Sequence, residues 1–142
     1  MKSPTAKLTN SLRLTNSEAK KHEVNMHELG IVFYIIRDVK AVAAENHVEQ
    51  VSTVVMDIGE VSTVIPHLLT DCWRWAADKE EVLKGCELKV NTIPAVTWCD
   101  NCHTEYETVK FGKTCPHCHS ENTWLLRGNE VEIREIQVAM RR

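Results

Sequence analysis

Apolar residues recur at helical spacing soon after the start of the chain. Leu29, Val32, Phe33, Ile36, Val39 and Ala43 fall three or four positions apart, which predicts an amphipathic helix over about 27–46. The β-branched run 51-VSTVVMDIG-59 then reads as a strand closing at Gly59. Pro66 suits the first turn of a second helix, whose apolar stripe would be Leu68, Leu69, Cys72, Trp75 and Ala76. The segment 86-CELKVNTI-93 alternates and stops at Pro94, giving a second strand. A third, 130-EVEIREIQV-138, alternates too but changes phase near Arg134-Glu135, as a bulge would make it do. The pattern predicts an α+β fold: a small three-stranded sheet with two helices on one face. A cysteine-rich segment interrupts it between the second and third strands. The expected boundaries are 26–95 with 128–142 for the α/β domain and 96–127 for the insert, with crossing points near Val96 and Gly128.

The insert carries the clearest chemistry. Cys99-x-x-Cys102 and Cys115-Pro-x-Cys118 are two knuckles, each short enough for both sulfurs to reach one ion, and residues 103–114 suit a hairpin that returns the second pair. Four thiolates in a tetrahedral set fit Zn(2+), and a closed shell leaves no position for a reactive water, so the zinc would be structural and the site not enzymatic. Two disulfides are the competing reading, less natural because each pair readily shares a metal. His103 and His119 directly follow the two knuckles and His117 lies inside the second. As neutral imidazoles His103 or His119 are possible alternate zinc ligands; the plainer reading leaves all three exposed. No nucleophile elbow, phosphate loop or paired catalytic carboxylates stand out.

Charge narrows the classes. The 142 residues are 43% hydrophobic with a net charge of −3, enough for one modest core plus a metal-held satellite. Within 99–127 three basic residues (Lys110, Lys113, Arg127) face four acidic ones (Asp100, Glu105, Glu107, Glu121), so a ribbon that grips nucleic acid through phosphates is disfavoured. No apolar run approaches the roughly 20 residues of a membrane span. Thiols committed to a metal point to a reducing compartment, hence the cytoplasm. Cys72 and Cys86 read as inert thiols, His47 and His67 as exposed residues, and the four tryptophans as packing or contact residues.

Residues 1–25 differ from the rest: Ser, Thr, Asn and Lys dominate, with five Lys or Arg against two Glu. They read as a disordered extension or as residues ahead of the native start, with a faint transit-peptide character. Met26-His27-Glu28 follows. If Met26 is the mature N-terminus, its amine, the His27 amide nitrogen and the His27 imidazole can form fused chelate rings on one ion. A nitrogen-rich tetragonal set of that kind suits Ni(2+) or Cu(2+). Glu28 would add an oxygen or hold the imidazole. The bland alternative is plain capping at a helix start.

The MHELGI opening, the long first helix, 58-IGEVSTV-64 and the CxxC…CPxC ribbon together resemble the HypA/HybF family of nickel metallochaperones for [NiFe]-hydrogenase, and in some bacteria urease, maturation. The resemblance covers about residues 26–140. It implies nickel as cargo at His27, with Glu28 in support, and structural zinc on Cys99, Cys102, Cys115 and Cys118. It implies as partners the GTPase accessory protein HypB and the hydrogenase large subunit or its maturation complex. One departure is the 25 residues before Met26, since a peptide bond there removes the amine from coordination; a start at Met26 or cleavage near it is the expectation. Exchange of the last strand between copies makes a homodimer conceivable. The alternative function is a zinc-ribbon adaptor without a metal-transfer role, and a nucleic-acid-binding ribbon ranks behind it.

Overall fold

The computed structural model describes residues 5–8, as backbone only, and residues 27–139. Its elements in chain order are β1 (Thr5–Leu8), α1 (His27–Glu45), β2 (Val51–Gly59), α2 (Pro66–Ala77), β3 (Glu87–Ile93), β4 (Val96–Cys99), β5 (Thr104–Glu107), a single turn α3 (Thr108–Phe111), β6 (Thr123–Arg127) and β7 (Val131–Ala139). The architecture is α+β with two small sheets. Much of the chain between Met1 and Met26, including Met26 itself, lies outside the described residues, as does the expectation of disorder placed on it. The four residues of β1 do enter a sheet, so the larger sheet has four strands in the order β1-β7-β2-β3 where three were expected. The fourth strand pairs antiparallel with β7, Thr5 opposite Ala139 through Leu8 opposite Ile136. Strand pairing is a tertiary choice, and the polar composition of the extension gave no apolar alternation to announce it.

The chain divides into two compact units. One holds the residues up to Asp57, Val64–Asn91 and those from Val131; the other holds Ile58–Thr63 and Thr92–Glu130. In the first, α1 buries Ile31, Val32, Ile35, Ile36, Val39 and Ala43, and α2 buries Leu69, Trp73, Ala76 and Ala77. They join Val51, Val54, Met56, Leu88, Ile133, Ile136 and Val138 from the strands in the core. Glu28 bonds to Ile65 near the starts of the two helices, and Lys40 pairs with Glu80 near their far ends, so α1 and α2 run in the same direction. In β7 the buried positions are 131 and 133, then 136 and 138. The phase change at Arg134-Glu135 is therefore real, and it re-aims the strand's second half so that both halves still face the core.

Two apolar assignments shift. Phe33 and Trp75, read as inward-facing, are 51% and 55% exposed. The inward positions are Ile35 and Trp73 instead. Trp73 is 2% exposed and its indole N–H donates to the Cys86 carbonyl at 2.9 Å. In a helix whose apolar residues lie at neighbouring positions, periodicity leaves the choice of stripe open, and a buried hydrogen-bond acceptor decides it. Trp75 instead lies under the Lys79 ammonium, 3.3 Å from the ring centroid.

The second unit is a three-stranded sheet in the order β5-β4-β6. Its central strand pairs Trp98 with Glu105 on one side and with Trp124 on the other, and Cys99 with Thr104 and Thr123. Its buried cluster is Cys99, Tyr106 and Cys115, with Cys102 and Cys118 packed against it. Three chain segments meet at its base. A Cβ on Gly59 would fall on the Gly128 carbonyl, and Gly128, at φ +116°, presses against Ala95, so neither position tolerates a side chain. The Glu60 carboxylate accepts the Ala95 N–H and Glu130 accepts the Gly128 N–H.

Candidate metal centres

Strand β4 delivers Cys99 at its last residue, and the chain then reverses through the first knuckle. The His103 N–H donates to the Cys99 carbonyl at 2.8 Å with His103 at φ 58°; the second knuckle repeats this, His119 N–H to Cys115 carbonyl at 2.8 Å with φ 64°. Both knuckles are thus the same closed turn ending in a left-handed residue. Their four sulfurs lie within 4.8 Å of one another, with Cys99 to Cys118 at 3.5 Å and Cys102 to Cys115 at 3.6 Å. A tetrahedral cage with metal–sulfur bonds of about 2.3 Å has edges of about 3.8 Å. The cage has the dimensions of a zinc ribbon.

Its electrostatics depend on a cation. The side-chain amide of Asn101 and the backbone N–H of Ser120 lower the Cys118 thiol to about 6. Cys115 is also held down, because the N–H groups of Cys118 and His117 outweigh its burial. The Cys102 thiol moves the other way, to about 11: the Thr104 hydroxyl pulls it down, but burial and the other three sulfurs prevail. Four thiols this close cannot all ionise alone, and a divalent cation removes the conflict. Asn101 and Thr104, 3.4 Å from Cys118 Sγ and 3.0 Å from Cys102 Sγ, carried no signal in the sequence, since a polar residue within or just after a knuckle is ordinary. His103, His117 and His119 are all exposed; His103 lies against the Trp98 ring at 5.9 Å between centroids. Outside the cage, burial drives the Cys86 thiol up to about 12 and raises Cys72, with Glu28 and Asp71 adding to the latter. Neither has the character of a reactive or ligating thiol.

The other predicted donors lie at the start of α1 in the first unit. His27 and Glu28 are 8% and 4% exposed, unusually buried for adjacent polar residues at a helix start. His27 Nδ1 is 3.2 Å from Glu28 Oε2, and the same oxygen accepts the Ile65 N–H at 3.1 Å. Ile65 is the N-cap of α2 and has no side-chain cap of its own, with Pro66 following at the first helical position. The carboxylate therefore sits at the positive end of that helix. Across the imidazole, Nε2 is buried with no hydrogen-bond partner among the described residues. Met26 lies outside the described residues.

Fold and sites together define a small α+β protein with a closed four-sulfur metal cage in one unit and a buried, incompletely partnered histidine in the other. The chain belongs to the HypA family, described as hydrogenase/urease nickel incorporation metallochaperones, whose model matches residues 26–138. It is 33% identical over 113 residues to the hydrogenase maturation factor HypA of Chlorobium phaeobacteroides (strain BS1), covering 80% of this chain and 99% of that one. To the hydrogenase maturation factor HybF of Klebsiella pneumoniae it is 28% identical over 112 residues, covering 79% and 98%. The solution structure of the Ni metallochaperone HypA from Helicobacter pylori shares the fold, with a TM-score of 0.61 at 22% identity over 80% of this chain and 98% of that one. Among the described residues no helix is long and apolar enough to cross a membrane.

Proposed function

We propose that this protein is a nickel carrier: it binds Ni(2+) at His27 and hands it on during [NiFe]-hydrogenase maturation, while Zn(2+) on Cys99, Cys102, Cys115 and Cys118 holds the ribbon in shape. The observation that carries the reading is a buried histidine beside a carboxylate, its Nε2 without a partner among the described residues, in a chain of the nickel-metallochaperone family. Imidazole nitrogen suits Ni(2+). A carboxylate on the far ring nitrogen is the usual outer partner of a metal-bound histidine. Few protein donors serve a carrier well, because the ion must leave again. Met26 would contribute its amine in any form that begins there. The ribbon's sulfur set fits zinc and leaves no open position, which separates the resident ion from the cargo.

The partners this role requires are the GTPase HypB and the hydrogenase large subunit or its maturation complex, in the cytoplasm, with urease as a second possible destination for the nickel. No catalytic step is assigned to the chain. Calorimetric titration of Ni(2+) into the wild type and His27→Ala tests the site. At least a tenfold loss of affinity in the variant is expected, with one zinc retained in both. Equal nickel binding overturns the assignment and favours the adaptor reading.

A further inference from the structure

Strand β1 is an addition to the family frame. The family match begins at residue 26, and the HypA and HybF relatives are covered over 99% and 98% of their own length, so nothing in that frame corresponds to residues 5–8. Those four residues pair antiparallel with residues 136–139 of β7. We propose that residues 136–139 form a strand-addition edge, filled in this chain by its own residues 5–8 and, when those are displaced, by the same edge of a second copy.

The residues along β7 explain why this half needs a cover. Glu132, Arg134 and Glu135 lie before or at the phase change, whereas Ile136, Gln137, Val138 and Ala139 carry neither charge nor proline. A sheet edge is protected from further pairing by charge, by proline or by being short, and the second half of β7 has none of these. It is this half that β1 covers, reaching no further back than Ile136. The edge that β1 offers in turn is four residues long, contains Lys7 and follows Pro4. At the opposite side of the sheet, β3 carries exposed Glu87 and Lys89 and stops before Pro94. With β1 in place both edges are blunted. Without it, one is open.

The open edge is complementary to itself. In an antiparallel pair centred on Gln137 of both copies, Ile136 of one faces Val138 of the other, and Glu135 faces Ala139. Apolar positions then meet on the core side and no like charges are opposed. A two-fold axis through the pair makes the contact closed. Main-chain hydrogen bonds supply the attraction, as they do wherever an extended segment joins a sheet. Loss of residues 1–25 therefore changes two things together: it frees the Met26 amine and it opens β7.

The test uses the full chain with zinc added and nickel absent, so its outcome is separate from that of the carrier reading. The wild type should sediment as a monomer from micromolar to near-millimolar concentration, with the amides of residues 136–139 slow to exchange with deuterium. Ala6→Pro puts a residue without an N–H opposite Val138. In dilute solution this variant should exchange the amides of 136–139 about tenfold faster or more, and on concentration it should dimerise and regain their protection. Leu8→Pro, opposite Ile136, carries the same expectations and serves if Ala6→Pro does not fold. Adding Gln137→Lys to either variant places an edge-blocking charge on β7 and should return it toward monomer with fast exchange. A wild type that dimerises as readily as the proline variants overturns the proposal, as do variants whose 136–139 amides stay protected while monomeric. Variants with fast exchange that remain monomeric at every concentration show an edge that takes no second copy, and also overturn it. So does a dimer indifferent to Gln137→Lys, because its contact lies elsewhere.

Discussion

The two units reach stability by opposite means. The α/β unit buries long apolar side chains from two helices and a four-stranded sheet, with Ile35, Val39, Met56, Leu69 and Ile136 all at or below 1% exposure. The ribbon unit has almost no such core: its buried cluster is one tyrosine and two cysteines, with two further sulfurs against them. Tyr106 is fixed at its rim by a hydroxyl bond to the Gly112 carbonyl and an edge-on contact with Phe111. In the first unit, losing one contact removes a small fraction of a large total. In the second, a cage that fits one ion takes the place of the core, so its stability should be all-or-none in that ion. The same contrast separates the candidate metal sites. The ribbon offers a complete sulfur shell, and the α/β unit offers one buried imidazole with one side unfilled.

The largest expected effect breaks the ribbon and spares its neighbour. Cys99→Ala removes a fully buried sulfur of the cage at the end of the central strand. Metal binding contributes on the order of 10–16 kcal/mol to the folding of small zinc modules. The variant, or the wild type treated with a strong chelator, should lose the cage's metal and the dispersed amide resonances of residues 96–127. The resonances of α1, α2 and β2 should stay folded. Collapse of both sets together would show that the ribbon's metal also holds the α/β unit.

A smaller effect sharpens the other side of the comparison. Trp73 and Trp75 differ by two positions on α2, yet one is buried with its indole N–H bonded and the other lies on the surface under Lys79. Trp73→Ala should cost about 3–5 kcal/mol in denaturant unfolding of the α/β unit. Trp75→Ala should cost about 0.5 kcal/mol, an exposed cation–π contact being worth little more. Zinc content should be unchanged in both. Equal costs would mean that the helix faces are misassigned.

That pair also shows what the sequence could convey. The knuckles were legible because a chelate is a local matter: two cysteines three apart need only a turn. The helix starts and strand limits were legible for a similar reason. Pro66 begins α2 and the β-branched run 51–59 is β2 end to end. The phase change in β7 was legible because alternation is a property of one strand. The rest depended on partners distant in the chain. Which face of α2 turns inward hangs on a carbonyl at Cys86. That residues 5–8 pair with β7 hangs on an edge left open by the sheet. The Ile65 amide that holds Glu28 is 37 positions away, and no side-chain type advertises a backbone donor. Asn101 and Thr104 were unreadable for the same reason, because a hydrogen bond to sulfur needs a geometry that only the closed cage supplies.

The smallest effect tests how closed that cage is. His103 and His119 hold left-handed backbone conformations, at φ 58° and 64°, where a side chain is disfavoured and glycine is at ease. Both are exposed, and each donates its N–H to a knuckle carbonyl, a bond that any residue in that conformation can make. If the four sulfurs alone hold the ion, His103→Gly removes strain and only the exposed ring contact with Trp98. The ribbon should then resist unfolding slightly better, by about 0.5–1 kcal/mol, with zinc retained against a competing chelator as in the wild type. If an imidazole exchanges with a thiolate, the same substitution removes a ligand, and zinc should be lost more readily to the competing chelator. His119→Gly repeats the experiment at the matching position of the second knuckle. A gain in stability with unchanged zinc retention in both variants keeps the ribbon as the closed half of the comparison; weaker retention in either one makes it a site that can open.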